Sequence, residues 1–196
     1  MQIKKILITL FFLNFTIFNA YSIAPDVFVQ STVNRASQIL SKNITKEEKI
    51  NELKSIAKET VDIKAVGFYS LGSKRKDLND KEKSQYLDLF ESYFLKSFSS
   101  RLAEYTNPEI EVKDKEFLNK NYTMVKSILI ATSERPEVKI NWRVYTKNRD
   151  NPLIRDLIIE GLSLARTQKE EFASILNSND GDINALFKTL RDFSKN

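Results

Sequence analysis

The stretch "IRDLIIEGLSLARTQKEEFASIL", residues 154–176, begins as a strand and ends as a helix. Residues 153–160 are short and rich in β-branched side chains, the pattern of a strand. Glu160-Gly161-Leu162-Ser163 interrupts it, in a chain with only four glycines. Beyond Gly161 the residues 164–177 read as a helix, and Thr167 and Glu170 have capping-box spacing. Sheet and helix are therefore joined directly at this glycine.

Upstream, the repeat is two. Ile110 and Val112 alternate with charged residues, and "YTMVKSILIAT" (122–132) is a strand whose faces are mixed. The cleanest strand is "VKINWRVY" (138–145), with Val138, Ile140, Trp142 and Val144 on one face and Lys139, Asn141, Arg143 and Tyr145 on the other. Glu134-Arg135-Pro136 and "KNRDNP" supply turns around it. Further upstream the repeat is helical. "DVFVQSTVNRASQIL" follows Pro25 and carries Val29, Val33, Ala36 and Leu40 on one face; "TKEEKINELKSIAKETV" starts at Thr45, with Glu48 completing a capping box. "DIKAVGFYSLG" runs from Asp62 to Gly72. A long helix follows, capped by Asn79 and Glu82, with Tyr86, Phe90, Phe94, Phe98 and Leu102 four apart. A last helix after Asp180-Gly181-Asp182 carries Ile183, Leu186, Phe187, Leu190 and Phe193. Helices, then about four sequential strands, then helices predict an α+β domain with a largely antiparallel sheet.

At the N-terminus, Lys4 and Lys5 precede the uncharged run "ILITLFFLNFTIF" (6–18), the length of a secretory h-region and short for a membrane span of roughly 20 residues. Ala20 and Ser22 place small residues for cleavage before Ile23. The expectation is a signal peptide over 1–22 and a single domain over 23–196; an uncleaved anchor is the alternative. The chain has no cysteine, so packing alone must hold it in an oxidising compartment. Its pI near 9.2 does not point to nucleic acid, because Lys and Arg are interleaved with Asp and Glu. The one dense basic cluster, Lys74-Arg75-Lys76, is followed at once by Asp77 and reads as solvated surface.

With neither histidine nor cysteine, the usual triads, thiol chemistry and zinc sites lose their main actors. Asp156 and Glu160 share a strand face roughly 13 Å apart, too far for a retaining carboxylate pair, and read as solvent-facing or turn-anchoring. A hydrolase using Ser163 with a lysine stays formally open. No enzyme, cofactor or metal is expected.

"DLIIEGLSLARTQKEEF" (156–172) resembles the Asp-x-x-x-Glu-Gly-Val-Ser motif of the MlaC/toluene-tolerance family, periplasmic phospholipid carriers of the Mla lipid-asymmetry system. "DIKAVGFYSLG" is similar to that family's Asp…Leu-Gly segment, "LNDKEKSQYLDLFESYF" to its next helix, and "RPEVKINWRVY" to its Arg-Pro-led strand. The chain departs from the pattern at Lys74-Arg75, where the family often has Trp-Arg, and at Asn151-Pro152-Leu153, where it often has Gly-x-Trp. The resemblance implies a helical layer on a strongly twisted sheet, with an apolar pocket between them for phospholipid acyl chains and no catalytic group. It also implies partners: an inner-membrane transporter complex with an MCE-domain subunit, and an outer-membrane lipoprotein–porin complex. A monomer in the periplasm, carrying phospholipid as cargo, is the expectation.

The apolar residues that would line such a pocket are Val66, Leu71, Phe90, Phe94, Phe98, Val125, Leu129, Val138, Ile140, Trp142, Val144, Leu157, Ile159 and Leu162. Each is equally an ordinary core residue, and periodicity does not separate a cavity wall from a filled core. A binding module with a filled core and a protein partner is the competing reading.

Overall fold

Capping chemistry sets most helix boundaries in the computed structural model, which describes residues 22–195. Thr45 and Asn79 each open a helix through a reciprocal capping box, with Glu48 and Glu82 reaching back to the cap nitrogen, as their spacing predicts. They start α2 (Lys46–Thr60) and α4 (Asp80–Leu102). Helix α1 (Pro25–Ser41) has its proline in the first turn, where no amide donor is missed. Asp62 caps α3 (Ile63–Leu71), and Gly72 ends it at φ 63° before a short 3-10 turn, Gly72–Lys76. Helices α5 (Leu164–Asn177) and α6 (Ile183–Lys195) close the chain. The expected cap at Thr167 is displaced: Ser163 accepts from Arg166 N and starts α5 one turn earlier. No helix among the described residues is long and apolar enough to cross a membrane. The run 6–18, read as an export signal, lies outside the described residues.

Five antiparallel strands pair in sequence order: β1 (Ile110–Asn119), β2 (Tyr122–Leu129), β3 (Val138–Tyr145), β4 (Leu153–Ile159) and β5 (Leu162–Ser163). The fifth, beyond the four expected, arises because Glu160 and Gly161 both take positive φ, 49° and 85°. That is the geometry of a tight two-residue hairpin, which turns Leu162 and Ser163 back onto Ile159 and Ile158. β1 runs well past Val112: residues 113–119 are all exposed, charged up to Glu116 and then apolar at Phe117 and Leu118, which leaves no alternation to read.

Register defines one inward face. Thr123, Val125, Ser127 and Leu129 of β2 are buried and pair with Val144, Trp142, Ile140 and Val138 of β3. The mixed look of β2 resolves because Ile128 sits on the opposite, half-buried face. A β-bulge opposite Arg143 makes Arg155 the extra residue, so that Ile154, Leu157 and Ile159 all join the inward face. This is why "LIRDLII" lacks strict alternation. Helix α1 lays Val29 and Val33 on the inward face, and Val61, between α2 and α3, bridges the exposed edge of β4 at Ile154.

The four-apart stripe of α4 is only half correct. A residue four positions on is rotated by about 40° at 3.6 residues per turn, so the stripe drifts around the helix. Tyr86 and Phe90 are buried, but the buried line then passes to Leu95 and Ser99, leaving Phe94, Phe98 and Leu102 half-buried.

Candidate functional site

The apolar interior falls into separate clusters. On the helical side, Val66, Leu71, Tyr86, Phe90 and Phe172 pack with Leu176, Ile183, Leu186, Phe187 and Leu190, drawn from α3, α4, α5 and α6. On the sheet side, Val29 and Val33 of α1 pack with Val125, Leu129, Ile140, Trp142, Val144 and Ile154. A third, small cluster joins Ile39, Leu40, Leu53 and Ile56 of α1 and α2. Val61 packs against both of the larger clusters.

Eleven of the fourteen residues expected at a pocket belong to or pack against the two larger clusters; Phe98, Ile159 and Leu162 do not. Val66, Leu71 and Phe90 belong to the helical one, with Phe94 packed against it. Val125, Leu129, Ile140, Trp142 and Val144 belong to the sheet one, with Val138 and Leu157 packed against it. Phe98 stacks on Phe94, ring centroids 5.5 Å apart and nearly parallel, continuing the aromatic line of α4. Ile159 is half-buried at the edge of the inward face. Leu162 is 59% exposed, on the short strand that ends the sheet.

Polar groups inside the sheet cluster are satisfied by one another. Trp142 Nε1 donates to Ser127 Oγ at 2.8 Å, and Ser127 in turn donates to the Ile140 carbonyl at 2.9 Å. The face can therefore be apolar over most of its area without leaving an indole N–H unpaired. Tyr86 does the same in the helical cluster, donating to the Gly67 carbonyl at 2.8 Å. Burial pushes the Tyr86 phenol well above the ordinary tyrosine range, and Tyr93 is raised by burial and then by Glu171 nearby.

Asp156 and Ser163 have local work. Asp156 is buried; one oxygen accepts from Ser163 Oγ at 2.7 Å and the other from Ala165 N at 3.0 Å. The carboxylate thus fixes the strand-to-helix joint, the turn-anchoring role. Ser163 Oγ is occupied by Asp156 and by the α5 cap, and no lysine among the described residues hydrogen-bonds it. Glu160 holds the other end, accepting from Lys139 N.

One constellation was not foreseen. Arg155, pushed out by the bulge, donates through Nε to Asp62 at 2.9 Å and through Nη1 to Tyr122 Oη at 2.7 Å, and its guanidinium lies 3.5 Å from the centre of the Tyr145 ring. It ties the α3 cap to the ends of β2 and β3. The available signal was an arginine beside an aspartate inside an otherwise apolar strand.

Surface clefts among the described residues include two between helical elements. One of about 310 Å³ runs between the 3-10 turn and α5, lined by Leu71, Lys74, Asp77, Lys169 and Leu176 among others. The other, about 320 Å³, lies between α1 and α2 beside Arg35, Lys42 and Glu52. Among the described residues, no group of histidine, cysteine or carboxylate side chains is arranged to hold a metal ion.

Helices thus cover an apolar sheet face in which the Trp142 indole and the Ser127 hydroxyl are paired. The chain belongs to the MlaC family, whose model, described as MlaC protein, matches residues 30–192. Its fold is similar to that of a phospholipid-binding protein from Ralstonia solanacearum, solved in complex with a phospholipid. The TM-score is 0.75 at 17% identity, over 88% of this chain and 98% of that one. A comparison with curated proteins gives no match.

Proposed function

We propose that this chain is a non-catalytic periplasmic carrier that holds phospholipid by its acyl chains between the helical and the sheet clusters. The observation that carries the reading is the separation of the two larger apolar clusters, one helical and one on the sheet, on a fold shared with a phospholipid-bound neighbour. The half-buried residues Phe94, Phe98, Val138, Leu157 and Ile159 are the proposed walls, with the fully buried members of each cluster behind them. Leu162, at the open end of the sheet, is the proposed rim.

The energetics supply the motive. Each buried methylene is worth about 0.8 kcal/mol, so a two-chain lipid in water exposes on the order of 20 kcal/mol of apolar surface. Parting two packed apolar surfaces and refilling the gap with acyl chains returns most of their contacts. A single filled core offers no such seam. Residues 1–22 serve as the cleaved export signal in this reading. The partners are an inner-membrane MCE-domain transporter complex and an outer-membrane lipoprotein–porin complex.

The test is transfer. Fluorescent phospholipid in donor vesicles, mixed with acceptor vesicles, should equilibrate faster in proportion to added protein. Val138→Trp should slow this without unfolding the chain. If the protein neither extracts lipid nor speeds exchange, the filled-core module that docks on a protein partner is the better reading.

A further inference from the structure

The end of the sheet that carries the β1–β2 turn is both apolar and basic. Phe117 is 73% exposed and Leu118 40%, beside that turn; Val27 is 61% exposed and Ile23 42%, at the start of α1. Contacts bring these together. Lys115 Nζ pairs with Asp26 at 2.7 Å, tying β1 to the first turn of α1. Ile23 N donates to the Arg149 carbonyl at 3.0 Å, and Thr146 N to the Asn121 carbonyl at 2.8 Å, joining the β3–β4 loop to the same end.

The charges there are unequal. Lys120, Lys147 and Arg149 are exposed and make no ion pair among the described residues. Of the neighbouring acids, Asp26 is held by Lys115, and Asp114 and Glu116 by Lys126, which leaves Asp150 to oppose the three cations. The chain also enters the fold here. Ile23, which precedes α1, is held at this end by its bond to Arg149.

We propose that this end is a docking surface for a phospholipid bilayer carrying anionic headgroups. Phe117, Leu118, Val27 and Ile23 would sit at the level of the headgroups, while Lys120, Lys147 and Arg149 face the lipid phosphates. Large exposed apolar side chains ringed by unpaired cations suit that boundary, where one part of the surface meets hydrocarbon and the other meets charge. The surface is distinct from the proposed acyl-chain seam and does not depend on the chain carrying lipid.

Flotation with vesicles tests it, using residues 23–196, which contain every helix and strand described. Vesicles containing phosphatidylglycerol should carry the protein up the gradient, phosphatidylcholine vesicles should do so weakly, and added salt should release it. Val27→Ser with Phe117→Ser, and separately Lys120→Glu with Arg149→Glu, should each lower partitioning about tenfold or more. All four positions are exposed, so melting should confirm that both variants fold. In Phe117→Trp the added indole should shift to shorter emission wavelength on vesicles, against the constant signal of buried Trp142. Failure of the parent chain to float overturns the proposal, as does flotation undiminished in both double variants, which would place the contact elsewhere.

Discussion

Gly67→Ala tests how closely the two helices behind the proposed lipid seam are packed. Gly67 faces the Phe90 ring in the α3–α4 contact, and an added Cβ would lie 2.7 Å from Phe90 Cδ1, 3.1 Å from Cε1 and 3.2 Å from Cγ. The ring has little room to retreat. It is 1% exposed, stacked between Tyr86 at 5.8 Å and Phe94 at 6.1 Å, and met edge-on by Phe172 at 6.1 Å. Overpacking of this kind costs about 1–3 kcal/mol. Alanine returns up to about 1 kcal/mol as the better helix former, so the cost in a boxed-in site should dominate by about 1–2 kcal/mol. For a domain of this size that is a fall in Tm of about 2–8 °C. Thermal and urea melts of Gly67→Ala, Phe90→Leu and the double variant form the assay. The smaller side chain relieves the clash, so the alanine should cost less beside Leu, with a coupling of about 1 kcal/mol. A Gly67→Ala protein that melts at or above the parent, with no coupling to position 90, would refute the packing argument.

The buried phenol of Tyr86 makes stability fall at high pH. Its pKa is raised on folding, so its contribution is complete below the ordinary tyrosine value near 10 and is lost above it, by up to about 1.4 kcal/mol per pH unit. Tyr86→Phe should lose about 1 kcal/mol near pH 8 with the Gly67 hydrogen bond. It should also show a smaller drop in urea midpoint towards about pH 11; an equal drop in both proteins would remove Tyr86 as a cause. Gly161→Val should destabilise by more than about 1 kcal/mol through backbone strain alone, since nothing lies within 4 Å of the added Cβ. Gly161→Asn, which tolerates positive φ, should be milder, and equal melting of the two would show that φ is not the cause. Ile140→Trp should cost about 1–3 kcal/mol by overpacking, whereas half-buried Val138→Trp should fold and hold less lipid. Lys139→Trp, on the opposite face, should leave lipid content alone; matching behaviour of the Val138 and Ile140 variants would contradict the placement of the seam.

What the sequence made legible follows from which signals are local. The capping boxes at Thr45 and Asn79, the Asp62 and Gly72 boundaries and the alternation of 138–145 depend on a few neighbouring residues, and all appear as expected. The α5 cap did not, because Thr167 and Glu170 have the right spacing while Ser163 has the tertiary partner, Asp156. The bulge at Arg155 depends on the register with β3, which no single strand contains. Burial along α4 depends on which helices it meets, so a four-residue repeat followed only its first two turns. The inward face Val138, Ile140, Trp142 and Val144 was legible; its division from the helical cluster was not, since both are the same kind of residue.

The most direct measurement of the central claim is the mass of the folded chain under native conditions, purified without detergent from the cells that make it. The account predicts a species heavier than the polypeptide by about one diacyl phospholipid, released on denaturation and matched by bound phosphorus. A folded chain that shows only its polypeptide mass, and takes up nothing from phospholipid vesicles, would contradict it.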